Sequence, residues 1–320
     1  MRIPYVLNRI LQTIPVILGI VILSFVLIQM APGDPIAVFV GEGGASPQYV
    51  AELTRRFGLD RPVSEQLLLY LGNVLRGDLG NSIHQGAPVL TIIASRAMPT
   101  IILMGFSIAL GSILGVIMGV YASIKPHSLR DNSLIVAALV FYSMPSFWLG
   151  QLLIIVFSVS LGVLPAAGMY SFATTSTHPW IGIATHLVLP VTTLGLGLAA
   201  FVMRFVRASM IEALGQDYIL TAQSKGLAER TVFYKHALRN ALLPVVTYIG
   251  LRVAHLTSGA VVIESVFGWP GLGRLLIDAL FARDYPLIMG MFIIVSLSVT
   301  LVTLVVDMLY AYIDPRIKTQ

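Results

Sequence analysis

Residues 98–124 read MPTIILMGFSIALGSILGVIMGVYASI, and no side chain in this stretch is charged. An α-helix needs about 20 apolar residues to cross the hydrocarbon core of a bilayer, and this stretch is longer than that. Only 11% of the 320 residues are charged and 57% are hydrophobic, which is too little polar cover for a soluble surface. The stretch therefore predicts a membrane-spanning helix in an integral membrane protein.

Five further apolar runs are long enough to cross a bilayer. The six predicted spans are residues 10–30, 98–124, 134–161 with a bend at Pro145, 186–206 with Pro190, 241–263 and 287–313. The sequence thus predicts an all-α fold with six transmembrane helices. The first run exceeds the apolar core of a signal peptide, so we expect it to be retained as a helix rather than cleaved.

The distribution of lysine and arginine predicts how these helices are oriented. With both termini in the cytoplasm, the inner segments hold twelve of the 20 Lys and Arg residues, and the outer segments hold seven. Five of those seven lie in one long loop, and long loops cross a membrane largely regardless of charge. The basic balance is therefore explained by topology, and no basic run with interleaved aromatic residues indicates nucleic-acid binding.

Two segments between the spans are long enough to have a role of their own. The outer segment, residues 31–97, has leucines at helical spacing over residues 63–75. The inner segment, residues 207–240, is amphipathic and basic. We therefore divide the chain into residues 1–97, a transmembrane helix with an extracytoplasmic loop, and residues 98–320, a five-helix core that carries the inner loop.

A stripe of small residues runs along the second span. Gly111, Gly115 and Gly119 recur every four residues and leave one face of the helix bare. Bare faces allow close helix contact in lipid, within a subunit or between subunits. The stripe therefore predicts helix packing and carries no chemistry.

No motif in the sequence points to catalysis or to a bound cofactor. The chain has no cysteine, and its six histidines form no i, i+4 pair of the kind that binds zinc on a helix. No Walker A sequence is present, so the chain is not expected to bind ATP itself. We expect neither a catalytic residue nor a metal site.

One cation lies inside a predicted span. Arg252 falls near the middle of the fifth span, and His255 follows on the same helical face. A charge at this depth is costly, so it normally faces a solvated cavity or a partner. Two interpretations stay open: the two residues line a translocation pathway that attracts an anionic substrate group, or Arg252 snorkels or pairs with another subunit.

The inner loop carries the most specific local pattern. Residues 217–227 read Asp-Tyr-Ile-Leu-Thr-Ala-Gln-Ser-Lys-Gly-Leu. Asp217 is suited to cap the start of a short helix, and Gly226 can adopt the left-handed conformation that ends one. A second amphipathic stretch follows over residues 228–243. The pattern favours a rigid protrusion, which is either a surface connector or a docking element for a cytoplasmic partner.

Together with HALRNALLP at residues 236–244, this loop resembles the coupling loop of binding-protein-dependent ABC importer permeases. The closer resemblance is to the first permease of the dipeptide, oligopeptide and nickel group. Further matching motifs are APGDP at 31–35, GLDRP at 58–62, GDLG at 77–80, FGWPGLGR at 267–274, RDYP at 283–286 and DPR at 314–316. The general permease pattern has Glu-Ala-Ala before the glycine, whereas Leu220, Thr221 and Ala222 stand here, so only Ala222 and Gly226 match.

The resemblance implies a type-1 ABC importer permease (MetI-like) fold in the inner, or cytoplasmic, membrane. It assigns an ATPase-coupling loop whose residues are Asp217, Tyr218, Thr221, Ala222, Lys225, Gly226 and Leu227. The implied partners are a second homologous permease, two cytoplasmic P-loop ATPase subunits with ATP and Mg, an extracytoplasmic substrate-binding protein and membrane lipid. The chain itself is expected to be a non-catalytic transport subunit.

The expected function is ATP-driven import of dipeptides or oligopeptides. An alternative in the same class is import of nickel, glutathione or another small solute, because the binding protein largely selects the substrate in this group. A self-sufficient proton-coupled carrier is a second alternative, but such carriers usually show internal repeats and buried acidic relays. A membrane-embedded enzyme would need a nucleophile or a metal set within the spans, and the sequence shows neither.

Overall fold

The computed structural model describes residues 3–30, 46–56, 60–170 and 179–313. In this part of the chain the regular structure is helical, apart from one isolated bridge between Asn81 and Pro88. The prediction of an all-α fold is confirmed. The motifs at residues 31–35 and 314–316, and part of the motif at 58–62, lie outside the described residues.

Twelve α-helices are present in the described ranges. In chain order they are α1 (Ile3–Gln29), α2 (Pro47–Arg56), α3 (Val63–Leu75), α4 (Val89–Ser123), α5 (Leu129–Ser143), α6 (Ser146–Leu153), α7 (Pro179–Leu214), α8 (Asp217–Ser224), α9 (Glu229–Thr231), α10 (Leu238–Val266), α11 (Leu272–Phe281) and α12 (Tyr285–Ile313). A π-helical stretch, Ile154–Ser160, continues α6, and a second, Val232–Ala237, joins α9 to α10. The helix predicted over residues 63–75 coincides with α3.

Three of these helices contain a run that is long and apolar enough to cross a membrane. The runs are Val89–Ser123 on α4, Trp180–Leu214 on α7 and Tyr285–Val305 on α12. The described residues thus give three clear spans where six were predicted. The first and fifth predicted spans fall on α1 and α10, whose side chains at residues 3–10 and 251–258 lie outside the described part.

A fourth candidate span is broken in the middle. Helix α5 and the helix formed by α6 with its π-helical extension together meet the length and hydropathy requirement, but they are bent by 102°. The bend falls at Met144 and Pro145, as the sequence predicted. A residue before proline avoids the α region, and Met144 accordingly has an extended ψ of 129°.

The chain divides into two compact units, and neither is continuous in sequence. The first unit comprises Met1–Met98 and Arg274–Leu301, and the second comprises Pro99–Gly273 and Val302–Gln320.

In the first unit, α1 packs against α3. The rings of Phe25 and Tyr70 stack with their centroids 5.9 Å apart, and Gln29 Nε2 donates to Gln66 Oε1 over 2.8 Å. Burial raises the pKa of the Tyr70 hydroxyl, because the charged form would lose its contact with water. Close packing also occurs at Gly290 on α12, where an added Cβ would collide with Val89.

The core of the second unit is built around α7. In the apolar 18-residue segment that makes α7 a candidate span, 67% of the residues are buried, compared with 22% in the corresponding segment of α4. Val202, Val206 and Met210 on α7 belong to one buried cluster that continues through Ile219 on α8 to Val245 on α10. Helix α8 is therefore packed onto the same core as the two long helices that flank it in sequence.

Candidate functional site

Helix α8 follows α7 after a turn of two residues, Gly215 and Gln216. The N-cap is Gln216, whose side chain makes no capping hydrogen bond, and Asp217 is the first helical residue. The prediction that Asp217 caps this helix is therefore wrong by one position. Its carboxylate lies in the first turn instead, where negative charge is favoured by the helix dipole. The Asp217 carbonyl accepts a hydrogen bond from Thr221 Oγ1 at 3.1 Å.

Gly226 ends α8 in the predicted left-handed conformation, with φ of 74°. The Gly226 N–H donates to the Gln223 carbonyl at 2.9 Å, and the Leu227 N–H donates to the Ala222 carbonyl at 3.4 Å. These two bonds form a Schellman motif. A Cβ on Gly226 would meet no atom within 4 Å, so the backbone conformation, and not space, favours glycine here.

The two faces of α8 have opposite characters. Ile219 and Ala222 are 2% and 6% exposed and pack into the cluster around α7. The opposite face carries side chains that are exposed even though several are large and apolar. We call this set, together with the exposed residues just past the end of the helix, the α8 surface: Tyr218, Leu220, Thr221, Lys225 and Leu227. The structure thus separates the predicted coupling residues into an exposed set and a core residue, Ala222, that anchors the helix.

A partly buried ion pair lies in the second unit near the end of α7. Arg207 donates from Nε to Asp131 Oδ1 over 2.6 Å, and from a terminal nitrogen to Asp131 Oδ2 over 2.7 Å. Asp131 is fully buried at the start of α5 and also accepts the His127 backbone N–H at 2.8 Å. A bidentate pair of this kind fixes orientation as well as distance. It ties α7, seven residues before its end, to the connection between α4 and α5.

A second buried carboxylate holds the segment that follows α10. Glu264 accepts hydrogen bonds from Thr100 Oγ1 at 2.6 Å and from the Gly273 N–H at 2.7 Å. Thr100 Oγ1 in turn accepts the Leu272 N–H at 2.8 Å. A Cβ at Gly271 would collide with the Glu264 carboxylate, so this part of the FGWPGLGR motif needs glycine for space.

A third buried carboxylate, Asp284, lies in the first unit at the start of α12. It accepts the Ser82 hydroxyl, and the backbone N–H groups of Ile83 and His84 at 3.2 and 3.1 Å. Asp284 also accepts the Leu287 N–H at 3.3 Å and so caps α12. Asp284 of the RDYP motif thus connects the turn that follows the GDLG motif to the start of α12.

The glycine stripe of α4 faces α7. A Cβ at Gly111 would lie 2.8 Å from the Gly195 carbonyl oxygen, at Gly115 2.6 Å from Val202 Cβ, and at Gly119 2.7 Å from the Met203 carbonyl oxygen. Contacts this short are not found for real Cβ atoms. The three glycines therefore let the backbones of two long helices approach within one unit.

The sequence also predicted two residues that line a translocation pathway. Arg252 and His255 belong to α10, but their side chains lie outside the described part of the chain. In the described ranges, no three His, Asp or Glu side chains come together as a metal site requires.

Three buried carboxylates were not predicted from the sequence: Asp131, Glu264 and Asp284, all of which are 0% exposed. The sequence contains a pattern that could have identified these three acids. The chain has only 15 acidic residues, and each of these three lies next to or within an apolar run. An acid in that position is either functional or paired.

Comparison with known proteins gives matches over nearly the whole chain. Residues 111–319 match the family described as binding-protein-dependent transport system inner membrane component, and residues 2–104 match the N-terminal family of the same systems.

Three curated relatives illustrate the similarity. The chain is 40% identical over 333 residues to the dipeptide transport system permease protein DppB of Escherichia coli K12, covering 98% of both chains. It is 40% identical to the oligopeptide transport system permease protein AppB of Bacillus subtilis, covering 98% of this chain and 99% of that one. It is 41% identical to the glutathione transport system permease protein GsiC of Escherichia coli, covering 98% of both.

A solved structure shares the fold. A chain of the inward-facing MetNI methionine ABC transporter superposes with a TM-score of 0.56 at 17% identity. The match covers 70% of this chain and 96% of that chain. At this level of identity the likeness concerns the fold alone.

Proposed function

This chain belongs to the family of binding-protein-dependent transport system inner membrane components, and we propose that it moves short peptides into the cytoplasm. It is a multi-pass protein of the inner membrane with a MetI-like ABC permease fold, and it is the non-catalytic permease component of an ABC importer. Peptide cargo is supported by the similarity to the dipeptide and oligopeptide permeases. The similarity to the glutathione permease supports the second candidate, glutathione.

The observation that carries the mechanism is the division of α8 into two faces. One face is fastened to the core through Ile219 and Ala222, and the other presents the α8 surface. Leu220 is 59% exposed there. A group of exposed apolar side chains usually marks a surface that a partner covers. We propose that a cytoplasmic ATPase covers this surface, and that motion of the ATPase is passed to α7 and α10.

The assembly follows from this role. A second homologous permease, two P-loop ATPase subunits that bind ATP and Mg, and an extracytoplasmic binding protein complete the importer. The chain contributes residues 1–97 as a transmembrane helix with an outer loop, and residues 98–320 as a five-helix core with the coupling loop at 207–240. Six spans with both termini in the cytoplasm place α8 on the ATPase side.

A substitution on the α8 surface tests the docking step. Leu220→Asp should lower recovery of the ATPase subunits with the tagged chain by about 10-fold or more, because a charge would enter an apolar contact. The matched control is Leu129→Asp, which alters an even more exposed leucine, 89%, at the start of α5 in the same unit. Equal recovery for the two variants would show that α8 is only a connector.

We propose that Arg252 and His255 line the translocation pathway and attract an anionic group of the cargo, such as a peptide carboxylate. Arg252→Gln should then slow uptake of a labelled dipeptide while assembly with the ATPase stays normal. If fewer complexes assemble while uptake per assembled complex is unchanged, Arg252 pairs with another subunit instead. Competition by glutathione, tested in the same uptake assay, decides between the two cargo candidates.

A further inference from the structure

A groove opens on the second unit where α4 ends. Its volume is about 320 Å³. The residues that line it include Ile117, Val120 and Tyr121 on α4, Ile124 directly after it, Tyr234 on the π-helical stretch and Leu238 on α10. Ile117 and Tyr234 are 59% and 52% exposed, so the groove is open to the surroundings. Tyr234 and Leu238 belong to the coupling loop at 207–240, but the lining includes no residue of the α8 surface and neither proposed pathway residue.

The groove lies where two helices change from apolar to basic sequence. The membrane run of α4 ends at Ser123, and Lys125 follows. On the other wall, Tyr234 and Leu238 alternate with the cations Lys235 and Arg239. Tyrosine is enriched at the level of the lipid headgroups, and lysine and arginine mark the cytoplasmic boundary of a span. This composition is typical of a membrane–water interface.

A cation stacks on Tyr121, one of the residues that line the groove. The guanidinium carbon of Arg130 is 4.0 Å from the centroid of the Tyr121 ring, within the range of a cation–π contact. The stacked guanidinium keeps N–H donors available for an oxygen anion. An apolar groove with an arginine stacked on one of its lining residues is complementary to a ligand that is apolar along its length and anionic at one end.

We propose that the groove binds one acyl chain of an anionic phospholipid, and that Arg130 contacts the phosphate of that lipid. The bilayer supplies such a ligand at the level where the groove opens, and basic pockets between membrane helices bind anionic headgroups in this way. With the proposed orientation of the chain, the lipid comes from the cytoplasmic leaflet. Bound there, it would contact the π-helical stretch that joins α9 to α10, which is part of the coupling loop.

The test uses the importer assembled with its partner subunits, purified in mild detergent and examined by native mass spectrometry for bound phosphatidylglycerol. Ile117→Trp fills the groove and should reduce lipid retention by about 10-fold. The matched control is Ile113→Trp, one helical turn earlier, at a residue equally exposed at 59% that does not line the groove. The control should retain the lipid as the wild type does.

The charge is tested separately. Arg130→Gln should abolish the preference for phosphatidylglycerol over phosphatidylethanolamine. Arg204→Gln should preserve it, although the Arg204 guanidinium carbon also lies over a tyrosine, 5.5 Å from the ring centroid of Tyr142. Equal lipid retention by Ile117→Trp and Ile113→Trp would overturn the proposal. A second experiment places the photo-crosslinking residue benzoylphenylalanine at position 234. Crosslinking to a partner subunit in the membrane, and not to lipid, would also overturn the proposal, because a protein would then cover the groove.

Discussion

At the scale of the residue, three buried carboxylates join segments that are far apart in the sequence. Asp131, Glu264 and Asp284 each accept hydrogen bonds from at least one backbone N–H and from a side chain. An isolated carboxylate would not be stable without water, so these bonds must form together with the fold. Each acid therefore specifies one arrangement of its neighbours.

The substitution Asp284→Asn should destabilise the protein by about 1–3 kcal/mol, because its amide nitrogen cannot accept the N–H groups that the carboxylate accepts. Asp278→Asn is the matched control. Its exposed pair with Arg274 spans 3.9 Å, and the loss should be about 1 kcal/mol or less. Thermal unfolding of the two purified variants in one detergent measures the difference. Equal midpoints would contradict a structural role for Asp284.

At the scale of the element, local sequence sets where helices begin, end and bend. Helix α3 coincides with its predicted range, and α8 ends at the Schellman motif that Gly226 allows. The long helices are less well predicted: α4 begins at Val89 and α7 continues to Leu214, beyond the apolar limits of the predicted spans. Hydropathy marks the part of a helix that lipid can surround, whereas backbone hydrogen bonding continues past that limit.

The packing of α4 on α7 gives a prediction at this scale. Gly115→Ala should lower stability by about 1–3 kcal/mol, because its Cβ would lie 2.6 Å from Val202 Cβ and the helices would have to separate. Gly105→Ala on the same helix meets nothing within 4 Å and should be neutral or slightly stabilising. Thermal unfolding again provides the measurement. If both variants behave alike, the close approach of the two helices is not needed for stability.

At the scale of the whole molecule, the number of membrane crossings depends on the bent pair α5 and α6. A 102° bend is compatible with a broken span or with a re-entrant loop. If the pair is a broken span, three crossings separate α3 from α8. If the pair is a re-entrant loop, two crossings separate them. The proposed six-span topology therefore requires α3 and α8 to face opposite sides of the membrane.

This requirement can be tested directly, because the chain has no cysteine of its own. A membrane-impermeant maleimide should label Ser64→Cys on α3 in intact cells, and should reach Ser224→Cys on α8 only after permeabilisation. Both positions are exposed on this chain, so its own fold does not limit labelling. Labelling of both cysteines from outside would mean that the bent pair turns back within the membrane.

The sequence by itself determined that the protein is an all-α membrane protein, and it determined the turn at Gly226. Hydropathy and backbone preference act within a few residues, so they can be read from the chain directly. The tertiary structure alone decided which face of α8 is buried and what the glycine stripe meets. It also decided which partners the three acids find, at separations of 76, 164 and 202 residues. These contacts depend on how the helices pack. Packing brings together residues that are far apart in the chain, and the local sequence around one residue does not indicate its distant partner.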